Sequence, residues 1–185
     1  MTGLNPEVDC LVEIAVVVTN SELEILDEGI DIVIKPTAEG LANMGEFVTN
    51  MHTESGLINE FEHGLELADA EQIVLEYVKR FVPEARTAPL AGNTIGTDRM
   101  FINRYMPQLD SHLHYRNIDV SSVKELSRRW YPRVYFNMPK KDGGHRALAD
   151  ILESIKELQY YRKTVFVEQP GPTSEVAKLA ADSLD

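Results

Sequence analysis

Cysteine is almost missing from this chain. Cys10 is the single one, which excludes an internal disulfide and a cysteine metal cluster. No apolar run approaches the length of a membrane span, and no basic stretch followed by an apolar one marks a secretion signal. The expectation is a cytoplasmic protein with no membrane to bind. Positive charge is scarce too: Lys and Arg number 18 against 30 Asp and Glu, a net charge of −12. That balance argues against a binder of long nucleic acid. What the chain has is apolar bulk. Of 185 residues, 43% are hydrophobic, which allows one well-packed domain. No internal repeat is visible.

The scarce positive charge is concentrated. Residues 1–98 hold 4 Lys/Arg against 19 Asp/Glu, and residues 147–185 hold 4 against 7. Residues 99–146 hold 10 against 4. The middle block can meet a few phosphates while the whole molecule repels a long polyanion. On charge alone, a solvated surface is the simpler reading of the same block.

Element patterns follow along the chain. Leu11 to Thr19 is rich in β-branched residues and reads as a strand; Asn20-Ser21 is a turn; Ile30, Ile32 and Ile34 alternate up to Pro36. The two strands make an antiparallel start. Leu41, Met44 and Phe47 keep a helical spacing. Asp69 with Gln72 reads as a capping box, and Ile73, Tyr77 and Phe81 continue a helix to Pro83. A short strand before Gly92 leads to a helix opened by Asp98 and carrying Phe101, Ile102 and Tyr105. Asn117 to Val120 is a strand, and Ser122 with Glu125 opens a helix through Trp130. Leu148, Ile151, Ile155 and Leu158 form one apolar stripe of a last long helix. The expected class is α/β: a mixed sheet, antiparallel at its start and then parallel, with helices on both faces. Residues 1–167 form the domain, and residues 168–185 a flexible tail.

Two stretches carry candidate chemistry. In Gly143-Gly144-His145-Arg146-Ala147-Leu148-Ala149-Asp150, an imidazole on a glycine-rich approach precedes a carboxylate in the first turns of a helix. That pairing suits water activation at a bound metal. It also suits a plain glycine loop before an ordinary surface helix. In Gly92-Asn93-Thr94-Ile95-Gly96-Thr97-Asp98, a carboxylate stands at a strand-to-helix junction. Such junctions hold ligands in open α/β sheets, and they equally hold helix caps. His52, in Met51-His52-Thr53-Glu54-Ser55-Gly56-Leu57, reads by itself as a structural histidine.

Taken together, the motifs resemble one family. Met1-Thr2-Gly3-Leu4, His52-Thr53-Glu54-Ser55-Gly56-Leu57, Gly92-Asn93-Thr94-Ile95 with Asp98, His114-Tyr115-Arg116, Asp119-Val120-Ser121 with Lys124-Glu125-Leu126, and His145 with Asp150 stand in the family's order and spacing. The family is oligoribonuclease, within the four-acid-plus-histidine (DEDDh) 3′-to-5′ exonucleases of the ribonuclease H-like fold. The resemblance covers roughly residues 1–166.

It implies a two-metal phosphodiesterase that releases nucleoside 5′-monophosphates from very short RNA such as dinucleotides. Asp98 and Asp150 match the third and fourth acids, which hold Mg²⁺ or Mn²⁺. Two ions ~3.5–4 Å apart would clamp attacking and leaving oxygens. His145 matches the general base, a role that the unperturbed pKa of an imidazole suits. Leu4 matches a leucine that wedges between bases, and Phe47 falls where the family usually has tryptophan; both can hold a base by stacking. His52, Thr94 and Ser121 match residues around sugar and phosphate. Tyr115 and Arg116 match a pair that the neighbouring subunit supplies to the far phosphate, which implies an obligate homodimer.

One departure accompanies the resemblance. The family's first strand carries Asp-x-Glu just before Met-Thr-Gly-Leu, and no such pair stands ahead of Leu4. The polypeptide as written is expected to pair its first strand incompletely and to bind metal weakly, with Asp9 and Glu13 the nearest substitutes. Two other readings stay open: a proofreading-type exonuclease of the same fold, and a dimeric module that binds short nucleotides without cutting them.

Overall fold

Alternation decides the first sheet. A computed structural model describes residues 1–140 and 146–184. In it, β1 (Glu13–Val16) pairs antiparallel with β2 (Ile30–Val33), with Ile14 opposite Ile32. Successive side chains of a strand point to opposite faces. Ile30, Ile32 and Ile34 therefore meet one core cluster, with Leu11, Ile14, Val74, Tyr77, Val78, Phe101 and Met106. Val33 meets a second on the other face, around Cys10, Val12, Leu57 and Phe61. Helices thus cover both faces, as expected. β1 is shorter than the β-branched run. Past Val16 only Thr19 is paired, as a bridge to Ile25, because Asn20 Oδ1 gathers the Glu22 and Glu24 amides into a closed turn.

The helical spacing of Leu41, Met44 and Phe47 spans a break. α1 (Ala38–Asn43) ends before Gly45, which caps α2 (Glu46–Glu54). Gly56 then takes a left-handed φ of 77°, where glycine has no Cβ to clash, and turns the chain into a 3₁₀ helix, Leu57–His63.

α3 (Leu67–Phe81) starts two residues before the expected capping box. Leu67 lies on the core, so burial fixes the first turn, and Gln72 Nε2 donates to Glu76 instead. β3 (Pro89–Gly92) leads into α4 (Ile95–Tyr105) and α5 (Pro107–His112). Asp98 lies within the first turn of α4 rather than opening it. Glu71, buried on α3, accepts from the Gln108 and Leu109 amides and so caps α5.

β4 (His114–Asp119) runs parallel to β3, with Ala91 opposite Ile118. The cap of α6 (Val120–Trp130) is Asp119, whose carboxylate takes the Ser121 amide and the Ser122 hydroxyl; the Ser122–Glu125 box does not form. Pro132 ends α6 and begins the short α7 (Pro132–Phe136). The antiparallel and parallel halves are both present, as two two-stranded sheets. α8 (Ala147–Thr164) packs against β1, β2, β3 and α6, joining the halves. α9 (Ser174–Asp182) follows, with none of its residues buried.

Candidate active site

The loop after Met1 is built round Asp9. Its carboxylate accepts the Thr2 hydroxyl at 3.1 Å and the Asn5 amide at 2.9 Å. A Cβ on Gly3 would clash with that carboxylate, so the turn needs glycine. The turn leaves Leu4 75% exposed, an apolar side chain held in water by a hydrogen-bonded loop. Phe47, on the outer face of α2, is 82% exposed.

His52 is buried on the same helix, edge-on to Phe61. Its Nε2 lies 2.9 Å from the Met1 carbonyl. A carbonyl only accepts, so Nε2 carries the proton and Nδ1 is an acceptor. That Nδ1 is buried with no partner. Burial pulls the imidazole's pKa down, which keeps it neutral. The structural-histidine reading accounts for Nε2 and leaves Nδ1 for a ligand.

Asp98 stands half-buried on α4. Burial pushes its carboxyl up, against its own backbone amide, which pulls it down. Four residues earlier, Thr94 occupies the cap position of α4 with φ 54° and ψ 33°. That left-handed conformation is uncommon for a β-branched residue and needs holding in place. Ser121 supplies the hold: its Oγ accepts the Thr94 amide at 2.9 Å and sits 3.2 Å from Thr94 Oγ1. Thr94 and Ser121, 27 residues apart, thus form one hydroxyl pair at the start of the helix that carries Asp98.

Asp150 is exposed in the first turn of α8. The start of that helix is fixed from β1. Glu13 accepts from the Ala147 amide at 2.9 Å and from Arg146 Nε at 2.6 Å, while Arg146 Nη1 reaches Glu60 at 2.8 Å. A carboxylate at a helix N-terminus also complements its dipole. Glu13 and Asp9 both hold structural hydrogen bonds, at the start of α8 and in the loop after Met1. His145, next in sequence to Arg146, lies outside the described residues.

Tyr115 and Arg116 stand together on β4. The Tyr115 ring stacks on His114 at 4.4 Å, and the Arg116 guanidinium lies over it at 5.4 Å. Tyr115 is 74% exposed, which presents the pair outward.

Asp98 and Asp150 are hard oxygen donors of the kind that suits a hydrated divalent cation. Among the described residues, no group of three His, Cys, Asp or Glu gathers to hold one. By donor chemistry the two carboxylates fit such an ion; by themselves they fall short of a two-ion cage.

Comparison with known proteins gives the family. A family model described as "Exonuclease" (RNase T) matches residues 1–158. An oligoribonuclease of Leifsonia xyli subsp. xyli is 66% identical over 184 residues, 100% of this chain and 89% of its own length. Those of Streptomyces avermitilis and Cutibacterium acnes are 59% and 53% identical over 181 and 182 residues, each alignment covering 98% of this chain and 90% of the relative.

The chain belongs to the oligoribonuclease family.

Its enzymatic class follows: a hydrolytic exoribonuclease of the ribonuclease H-like fold. No helix among the described residues is long and apolar enough to cross a membrane.

Sequence reading missed a set of residues behind this oligoribonuclease site. Asn93 was visible inside its motif but carried no role. Its Oδ1 accepts the Ser121 hydroxyl at 3.1 Å, and its Nδ2 reaches Ser154 Oγ at 2.8 Å and Glu157 at 3.3 Å. Lys124 Nζ lies 3.4 Å from Glu157. The Tyr161 hydroxyl donates to the same carboxylate at 3.3 Å, and burial and that carboxylate push its pKa up. The available signal was spacing: Asp150, Ser154, Glu157 and Tyr161 share one face of α8 at intervals of four, three and four.

Proposed function

We propose that this exoribonuclease degrades very short RNA, dinucleotides above all, from the 3′ end to nucleoside 5′-monophosphates. One observation carries the reading: the Thr94–Ser121 hydroxyl pair at the start of the helix bearing Asp98. A helix start carrying a hydroxyl whose proton can turn to a ligand favours a phosphate, and a carboxylate one turn along suits a cation beside it.

Each side chain then has a task. Leu4 and Phe47, both exposed, take the faces of the terminal base. The His52 Nδ1 accepts from a sugar hydroxyl. Thr94 and Ser121 hold the phosphate, which rests on the same pair. Asp98 and Asp150 would hold divalent ions, Mg²⁺ or Mn²⁺, in a two-metal site. When bound, such ions neutralise charge on the phosphodiester and lower the pKa of the attacking water. His145 takes the proton from that water, a transfer for which the unperturbed pKa of an imidazole is suited at neutral pH. Tyr115 and Arg116 act on the far phosphate of the substrate held by the neighbouring subunit of a homodimer. Their outward placement supports this reading, because an exposed aromatic–guanidinium pair is available to a partner. The net charge of −12 disfavours long RNA. Residues 1–167 constitute the catalytic domain, residues 168–185 lie outside it, and the protein works in the cytoplasm.

A 5′-labelled RNA trinucleotide tests direction and chemistry together. With Mg²⁺ or Mn²⁺ the label should pass through the dinucleotide to the mononucleotide, and EDTA should stop both steps. Release of labelled mononucleotide in the first cut would overturn the direction. Full activity in EDTA would overturn the metal assignment.

A further inference from the structure

The buried face of α8 is polar, and its hydrogen bonds run in one direction. Ser154 and Glu157 are 8% and 3% exposed. Ser154 Oγ donates to the Asp150 carbonyl at 2.8 Å, so it accepts from Asn93 Nδ2. The Glu157 carboxylate, beside the Lys124 ammonium, likewise accepts from Nδ2. These two acceptors fix which way the Asn93 amide faces. Its Oδ1 must then take the Ser121 proton. With that proton committed, Ser121 Oγ accepts from both the amide and the hydroxyl of Thr94. The order is Thr94 to Ser121 to Asn93 to Ser154 to the Asp150 carbonyl. Every donor in it has an acceptor, and both ends lie at residues assigned to the site.

We propose that Asn93 is a positioning residue that ties the phosphate-holding pair Thr94–Ser121 to the turn of α8 carrying Asp150. The proposal rests on the reading of the site given above. It gives the left-handed Thr94 a cause: the strained residue is held from α6 by Ser121, and Ser121 is oriented from α8 through Asn93. It also separates two hydroxyls with similar surroundings. The Ser121 proton is spent on Asn93, whereas the Thr94 proton can swing to an arriving phosphate oxygen without breaking the rest of the order. Thr94 is thus the donor to substrate, and Ser121 sets its place.

The test compares wild type with Asn93→Ala, Ser154→Ala and the double variant. The first readout needs no substrate: amide hydrogen exchange at Thr94, resolved by NMR. Ser154 does not touch Thr94, yet Ser154→Ala should speed that exchange several-fold. Asn93→Ala should speed it more, ~10-fold, and the double variant should match Asn93→Ala alone because the two act in series. The second readout is the KM for a 5′-phosphorylated RNA dinucleotide, which should rise ~10-fold in Asn93→Ala with a smaller change in kcat. Unchanged Thr94 exchange in folded Asn93→Ala and Ser154→Ala overturns the proposal, and so do additive effects. If Asn93→Ala does not fold, Ser154→Ala decides by the same exchange rate. If wild type fails to cut the dinucleotide, the functional reading falls while the exchange readout still decides the role of Asn93.

Discussion

Helices α3 and α8 are both long and both lie against strands of the first sheet, yet they bury opposite kinds of side chain. α3 buries Ala70, Val74, Leu75, Tyr77 and Val78 against the core. α8 buries Ser154, Glu157 and Tyr161, while its apolar stripe of Leu148, Ile151, Ile155 and Leu158 is only half-buried. Apolar burial stabilises by itself and asks little of its neighbours. Polar burial costs unless each group meets a partner, and each partner must then be held in place. A helix that buries a polar stripe therefore fixes geometry more than it adds stability. In this molecule that helix carries Asp150, and its stripe leads to Thr94. Glu71 is the exception on α3, and it is likewise spent on geometry, at the start of α5.

The sharpest break between the two helices is catalytic. His145→Ala, just before α8, should lower the dinucleotide kcat by ~10²–10⁴-fold, the usual contribution of a general base. Thermal stability and dinucleotide affinity should hardly move. A variant cutting at the wild-type rate would remove His145 from the proposed role.

On α3 the expectation reverses. Leu75→Ala should cost about 2–5 kcal/mol of folding stability in denaturant titrations, with kcat and KM per folded molecule unchanged. A raised KM at full folding would mean that the core helix also shapes the site.

Glu157→Gln sits between the two. It keeps the shape but removes the charge facing Lys124, the Tyr161 hydroxyl and Asn93. A stability loss of about 1.5–3 kcal/mol, the range for hydrogen bonds to charged groups, should accompany a several-fold rise in KM. Loss of stability alone would make the stripe merely structural.

The least severe expected change concerns the subunit boundary of the proposed homodimer. Mixing Tyr115→Ala subunits with Asp150→Ala subunits should restore up to about a quarter of wild-type activity. Half of the dimers are mixed, and each has one intact pocket. Absence of recovery in proven heterodimers would place Tyr115 in its own subunit's pocket.

Most of the fold was legible locally, because periodicity is a local property. The β2 isoleucines, α3, α4, α6 and α8 all stand where their patterns fall. The helix starts were less legible. Leu67 begins α3 through a tertiary contact, and Asp119 caps α6 from the end of a strand. Asp98, Thr94 and Ser121 were read from motifs, and the structure brings Thr94 and Ser121 into contact. Asn93 was not given a role, because its partners Ser154 and Glu157 lie 61 and 64 residues away. A chain read in sequence order displays the polar stripe of α8 but not what it faces.

Substrate length is the most direct test of the whole account. Equal concentrations of a 5′-labelled RNA dinucleotide and a 5′-labelled RNA of about twenty nucleotides compete for the enzyme in Mn²⁺, and the hydrolysis rate of each is followed. A net charge of −12 should favour the short chain strongly, so the dinucleotide should disappear while the long RNA is nearly intact. Equal rates, or faster loss of the long RNA, would contradict the account.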